Sequence, residues 1–185
     1  MTIKDVLKTA SVFLNRTDVS EYLAGSVQSP ASDTLSAVDL LTRLSNLVIS
    51  ELAASYVPMS CTETVQSENG RITFSALTNN VTRILSIKNE FGLDAEFKIF
   101  PEYVEVFGGT YSIEYEYAPS NYGLNDAVGF NGKVTAALLG YGVAAEYCVT
   151  QGRFEEAVLW RKRYTAGVER IALPKNATIK GRCWL

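Results

Sequence analysis

The hydrophobic period of this chain changes twice. From Ile3 to Leu52 apolar residues recur every three or four positions; from Met59 to Tyr117 they alternate with polar ones; from about Gly132 the helical spacing returns. A strand block between two helical blocks predicts an α+β fold: a helical bundle formed by N- and C-terminal helices, with an inserted antiparallel β-lobe. The 185 residues suffice for one core, since a chain of this size buries roughly 70% of its unfolded surface.

Thr2 and Asp5 have the spacing of a capping box, and Ile3, Val6, Leu7, Ala10, Phe13 and Leu14 follow on one helical face. Asp18–Leu23 reads as one further turn. Ser32 or Asp33 opens a longer helix whose apolar stripe runs from Leu35 to Leu52 and ends before Pro58, with Asp39, Arg43, Asn46 and Ser50 on the wet side. Asn69-Gly70 signals a hairpin turn, and strands are expected over Arg71–Leu77, Val81–Lys88, Ala95–Phe100, Tyr103–Phe107 and Tyr111–Tyr117. In the last of these Tyr111, Ile113, Tyr115 and Tyr117 share one face and Ser112, Glu114 and Glu116 the other. Helices are expected over Gly132–Val149, rich in Gly and Ala for close packing, and Arg153–Leu173, separated at Gln151-Gly152. The organisation is thus 1–58 for the N-terminal helices, 59–118 for the β-lobe, 119–173 for the C-terminal helices and 174–185 for an extended arm.

Charge divides along the chain. Residues 151–185 hold eight Lys or Arg against three Glu, a net of +5, while the first 150 carry −8 and the whole −3. An acidic body with a basic end points to a charge-guided contact, although basic residues on a helix also serve simply as its solvated face. The final segment, Pro174–Leu185, is short and polar yet ends in Cys183, Trp184 and Leu185, an apolar tip that needs a place to bury.

The sequence contains no histidine, which removes Ser-His-Asp and Cys-His catalysis and every His-containing zinc site. Cys61, Cys148 and Cys183 are odd in number and far apart, signalling neither a disulfide framework nor a metal cluster; a reducing compartment fits. Glu102, Glu105, Glu114 and Glu116 could imitate the carboxylate pair of a glycan hydrolase, but alternation places them on exposed strand faces where nothing raises an acid's pKa. Gly108-Gly109 lies between strands and makes no phosphate cradle. Trp160 and Tyr164, with Ala157 and Ile171, look like a core stripe rather than a base-stacking platform. The start of the chain carries Lys4, Asp5 and Lys8 and does not read as a signal peptide, and no span approaches the ~18 apolar residues of a membrane helix. No catalytic, metal or cofactor residues are assigned, and a soluble protein without a membrane partner is expected.

Four segments carry a family resemblance: Ile113-Glu-Tyr-Glu-Tyr-Ala-Pro119 before Asn125-Asp126, Tyr141-Gly-Val-Ala-Ala-Glu-Tyr-Cys148, Gln151-Gly-Arg-Phe-Glu-Glu-Ala157 with Trp160-Arg-Lys-Arg-Tyr164, and Ile179-Lys-Gly-Arg-Cys-Trp184. Together they resemble the head-to-tail adaptor (connector, tail tubular protein) family of tailed bacteriophages. The resemblance covers most of the chain, since such adaptors also use N-terminal helices, a β-lobe and C-terminal helices; Gly181 and Cys183 interrupt the Arg-rich ending of many relatives. It implies a structural virion protein rather than an enzyme, made in the host cytoplasm and located at the neck. There a ring of identical subunits, twelvefold by the resemblance, would join the portal protein to the tail or a second neck protein and leave a channel for transient contact with packaged double-stranded DNA. Lys175, Lys180, Arg182 and Trp184 are carried over as portal contacts, with Arg161, Lys162 and Arg163 as supports. The alternative is a DNA-associated phage protein that binds nucleic acid through its basic C-terminal segment.

Overall fold

A computed structural model describes residues 1–130 and 132–172. The chain is α+β, with helices from both ends flanking an antiparallel strand region. It parts into two compact units: Met1–Ser45 with the chain from Leu124 onward, and Asn46–Gly123. The division falls inside a helix, thirteen residues ahead of the boundary after Pro58 that hydrophobic period suggests.

The first unit is the helical one. Its helices are α1 (Ile3–Phe13), α2 (Thr17–Ala24), the N-terminal part of α3 (Ser32–Ser55), α4 (Ala136–Thr150) and α5 (Phe154–Ala172). The capping box at the start of α1 is formed: the Thr2 N–H donates to Asp5 Oδ2 at 2.8 Å and the Asp5 N–H to Thr2 Oγ1 at 3.3 Å. Two more first-turn N–H groups donate to the loop after the β-lobe, Ile3 to the Asp126 carbonyl (3.2 Å) and Lys4 to that of Leu124 (2.8 Å). The orphan donors of the helix are thus satisfied by chain from far along the sequence. Helix α4 starts later than its periodicity indicates because Thr135 caps it, accepting from the Leu138 N–H at 3.2 Å. Gly152, at φ +71°, closes α4: its N–H bonds the Val149 carbonyl and that of Arg153 the Cys148 carbonyl, leaving only one residue before α5 begins.

α4 is buried nearly all round, with Leu138, Leu139, Val143, Ala144, Ala145 and Cys148 inside, so it is the central helix between α1 and α5. Close approach to α1 occurs at Gly140, where a Cβ would lie 3.2 Å from both Phe13 Cε2 and Thr9 Cγ2. From α1 come Ile3, Val6, Leu7 and Ala10, and from α5 Ala157, Tyr164 and Val168.

A polar clasp ties α2, α3 and α4. Arg16 donates from Nε and Nη2 to the two oxygens of Asp18 (2.9 and 2.8 Å), from Nη2 to Asp33 (3.1 Å) and from Nη1 to the Tyr147 hydroxyl (2.9 Å). The Thr34 hydroxyl also donates to Asp18, at 3.0 Å. These bonds, that from Arg16 foremost, hold the Asp18 carboxyl well below the usual carboxylate range. A carboxyl depressed in the folded state contributes its full stability above its unfolded pKa of about 4 and loses it as pH falls. The thermal midpoint should therefore be level from about pH 7 to 5 and drop below about pH 4. Asp18→Asn should lower the neutral-pH midpoint and make the acid limb shallower; an unchanged limb would show that Asp18 takes no part.

The second unit contains the end of α3 and six strands: β1 (Met59–Gln66), β2 (Arg71–Thr73), β3 (Asn80–Asn89), β4 (Lys98–Ile99), β5 (Tyr103–Glu105) and β6 (Thr110–Ala118). They form two three-stranded antiparallel sheets, ordered β1-β6-β3 and β2-β5-β4. Inward residues of both, including Ile72, Ile87, Val104, Tyr111, Ile113 and Tyr115, share one core. Three expected strands are shorter than alternation indicates. Arg71–Leu77 leaves the ladder after Thr73 for a 3₁₀ turn at Phe74–Ala76, Ala95–Phe100 is a strand only at Lys98–Ile99 with a further backbone bond from Ala95 to Ile87, and Tyr103–Phe107 stops at Glu105. Asn69 and Gly70, at φ +53° and +76°, make the two-residue turn with paired Glu68 and Arg71 backbones, but the flanking strands continue into different sheets. Asn46, expected on the wet side of α3, instead bonds the Tyr122 backbone in both directions at 2.8 and 3.0 Å.

Candidate docking faces

Of the seven residues assigned to portal docking, Lys175, Lys180, Arg182 and Trp184 lie outside the described residues. Arg161, Lys162 and Arg163 lie on α5, and the structure gives them three different surroundings. Successive residues of a helix are turned by about 100°, so three in a row cannot share one face. Arg161 reaches back to α4 and pairs with Glu146. The guanidinium of Arg163 lies 4.9 Å from the Trp160 ring centroid and 6.0 Å from that of Tyr141. Lys162 is exposed and points away from the buried side of its helix.

Beneath Arg163 the three packed helices are joined by aromatic rings. Phe13 of α1 stacks on Tyr141 of α4 at 4.8 Å and on Trp160 of α5 at 5.1 Å, and the last two are 5.9 Å apart. Such stacked rings add about 0.5–1.5 kcal/mol per pair beyond burial. Trp160 is therefore a half-buried clamp, alongside the buried Ala157 and Tyr164, and Ile171 is half-buried. The stack thus ties α5 to α1 and α4 at Trp160, about three turns before the helix ends at Ala172.

The exposed side of α5 was not evident from the sequence. Phe154, Val158 and Leu159 are 65%, 66% and 64% exposed, with Lys162 one turn on from Val158 and Leu159. In the β-lobe, Phe97 and Phe107 flank a cleft of about 850 Å³ floored by Ala95 and Val106 and rimmed by Glu96, Lys98 and Glu105. Phe107, at 78% exposed, stands beside Gly108-Gly109. The sign of these faces lies in the helical and strand periods themselves, because both carry apolar residues on the side away from their cores.

The remaining candidates for chemistry are placed as follows. Glu102, Glu105 and Glu114 are exposed and Glu116 half-buried; Glu114 accepts from the Ser86 hydroxyl at 3.1 Å. Cys148 is fully buried in α4, and burial pushes its thiol pKa up, away from nucleophilic use. Glu63 accepts from the Tyr115 hydroxyl at 2.5 Å and from the Thr78 N–H at 3.1 Å. Burial raises the Glu63 carboxyl, but these hydrogen bonds outweigh it and leave the carboxyl below its ordinary value. Tyr115 is pushed up by burial and by its acceptor neighbours, so the pair is Tyr–OH with carboxylate, a structural bond at the edge of the core. Among the described residues no group of three or more His, Cys, Asp or Glu is placed to hold a metal ion, and no helix is long and apolar enough to cross a membrane. No protein-family model matches this chain, and no curated protein matches its sequence significantly.

Proposed function

We propose that this chain is a structural virion protein: a ring adaptor that sits between the portal and the tail of a tailed bacteriophage and leaves a passage for DNA. The observation that carries the reading is the topology. Helices from both ends of the chain close one bundle and a β-lobe is inserted between them, the arrangement that the sequence resemblance implies for such adaptors. Supporting it, the Phe13–Tyr141–Trp160 stack anchors α5, whose end leads into the sequence bearing Lys175, Lys180, Arg182 and Trp184. A packed helix followed in sequence by a basic segment with an apolar tip suits a docking arm guided to its partner by charge. Acidic charge on the remainder lets DNA pass without adhering.

Deleting Pro174–Leu185 tests this. The truncated chain should keep the far-UV spectrum and melting temperature of the full chain while losing attachment to portal-bearing capsids. Attachment at full affinity without those residues would overturn the assignment of the arm, and salt-dependent retention of the full chain on DNA would favour the nucleic-acid reading.

A further inference from the structure

The apolar side chains left outside the two cores gather on chemically matched faces. On α5, Phe154, Val158 and Leu159 lie outside the buried stripe of Ala157, Tyr164 and Val168, with the exposed Glu155 among them and Lys162 one turn after Val158 and Leu159. On the lobe, the cleft is lined by Ala95, Phe97, Val106 and Phe107, with the two carboxylates Glu96 and Glu105 and one cation, Lys98, at its rim. The unit that carries the cleft holds ten carboxylates against four basic residues, a net of −6. Solvent-facing clusters of large apolar residues mark interaction sites, and opposite charge at their rims selects the partner.

We propose that these faces bind each other between copies: the Phe154–Val158–Leu159 stripe of one subunit seats in the Phe97–Phe107 cleft of the next, with Lys162 toward the acidic rim. This rests on the adaptor reading and deepens it by naming the contact that builds the ring. A helix that lays exposed apolar side chains of successive turns into an apolar groove is a familiar recognition mode. Two different faces on one chain give a head-to-tail contact, the type that closes into rings when the rotation allows. Pairing of two clefts would instead set carboxylates against carboxylates.

Sedimentation velocity of the full chain from micromolar to near-millimolar concentration tests the contact, with Leu159→Asp and Phe107→Asp as single-face variants. Both positions are more than half exposed, so the variants should keep the wild-type circular dichroism; Lys162→Glu gives a second, milder probe. The wild type should associate beyond a dimer. Each variant should associate about tenfold or more weakly. An equimolar mixture of the two retains one good stripe and one good cleft and should stop at a heterodimer. A monomeric wild type, association indifferent to both variants, or a dimer abolished by Leu159→Asp alone, as α5 pairing with α5 would give, overturns the contact. The adaptor reading is judged separately by capsid attachment: loss of attachment on deleting Pro174–Leu185 sustains that reading even if the ring uses other faces. Head-to-tail association without any capsid attachment would remove the reading and leave the contact.

Discussion

Gly140→Leu is expected to destabilise the helical unit by about 3 kcal/mol, the upper end of the usual cost of overpacking. A Cβ at this position already lies 3.2 Å from Phe13 Cε2 and from Thr9 Cγ2, tighter than most real contacts, and leucine must place three further carbon atoms beyond it. The only escape is to move α1 away from α4, which also opens the Phe13–Tyr141 stack. Gly140→Ala separates sterics from propensity. A few tenths of an ångström of movement by Thr9 and Phe13 admits the methyl group, and removing a helix-interior glycine returns about 1 kcal/mol, so the alanine variant should lie close to wild type. Denaturant titration of both variants measures the difference. A leucine variant as stable as the alanine one would mean that α1 and α4 do not meet at Gly140.

In the lobe the largest effect is expected from Tyr115→Ala, about 4 kcal/mol. The ring is fully buried in β6, the central strand of its sheet, and packs with Ile87, Ile113 and Val104 in the core shared by both sheets. Tyr115→Phe keeps the ring and removes the donor to Glu63 and the acceptor of the Asn79 N–H, so it should cost about 1–2 kcal/mol. It should also raise the Glu63 carboxyl toward its unfolded value, making the acid limb of the lobe's stability shallower. If Tyr115→Phe and Tyr115→Ala are equally destabilising, the hydroxyl rather than the ring holds the sheet together.

Much of the framework was legible in the residues, and particular physical reasons account for the remainder. Thr2 with Asp5, Pro58 and Gly152 are local signals whose partners lie within a few positions, and each appears in the structure at the end of an element as read. Alternation also identified the inner face of β6 correctly, because it depends only on strand geometry. It could not say which strand would lie beside which. The turn at Asn69-Gly70 joins strands that separate into two sheets, since pairing is decided by β6 and β5 some forty residues later. The clasp around Arg16 was invisible for the same reason, its Tyr147 partner being 131 residues away. At the candidate site, the run Arg161–Arg163 looked like one basic patch in linear sequence and is three surroundings on the helix. Phe154, Val158 and Leu159 were missed because a second apolar stripe on α5 was hidden by the first, formed by Ala157, Tyr164 and Val168.

The division between the two units has a consequence for synthesis. Asn46–Gly123 is one uninterrupted stretch, so every residue that the lobe needs emerges from the ribosome before α4 does. The bundle is in the opposite position: α1 emerges first, and both α4 and α5 are among the last segments made. Folding during translation proceeds on such completed pieces, so a nascent chain paused with Gly123 just clear of the ribosome should already resist protease across the strands while its amino-terminal helices remain open to cleavage.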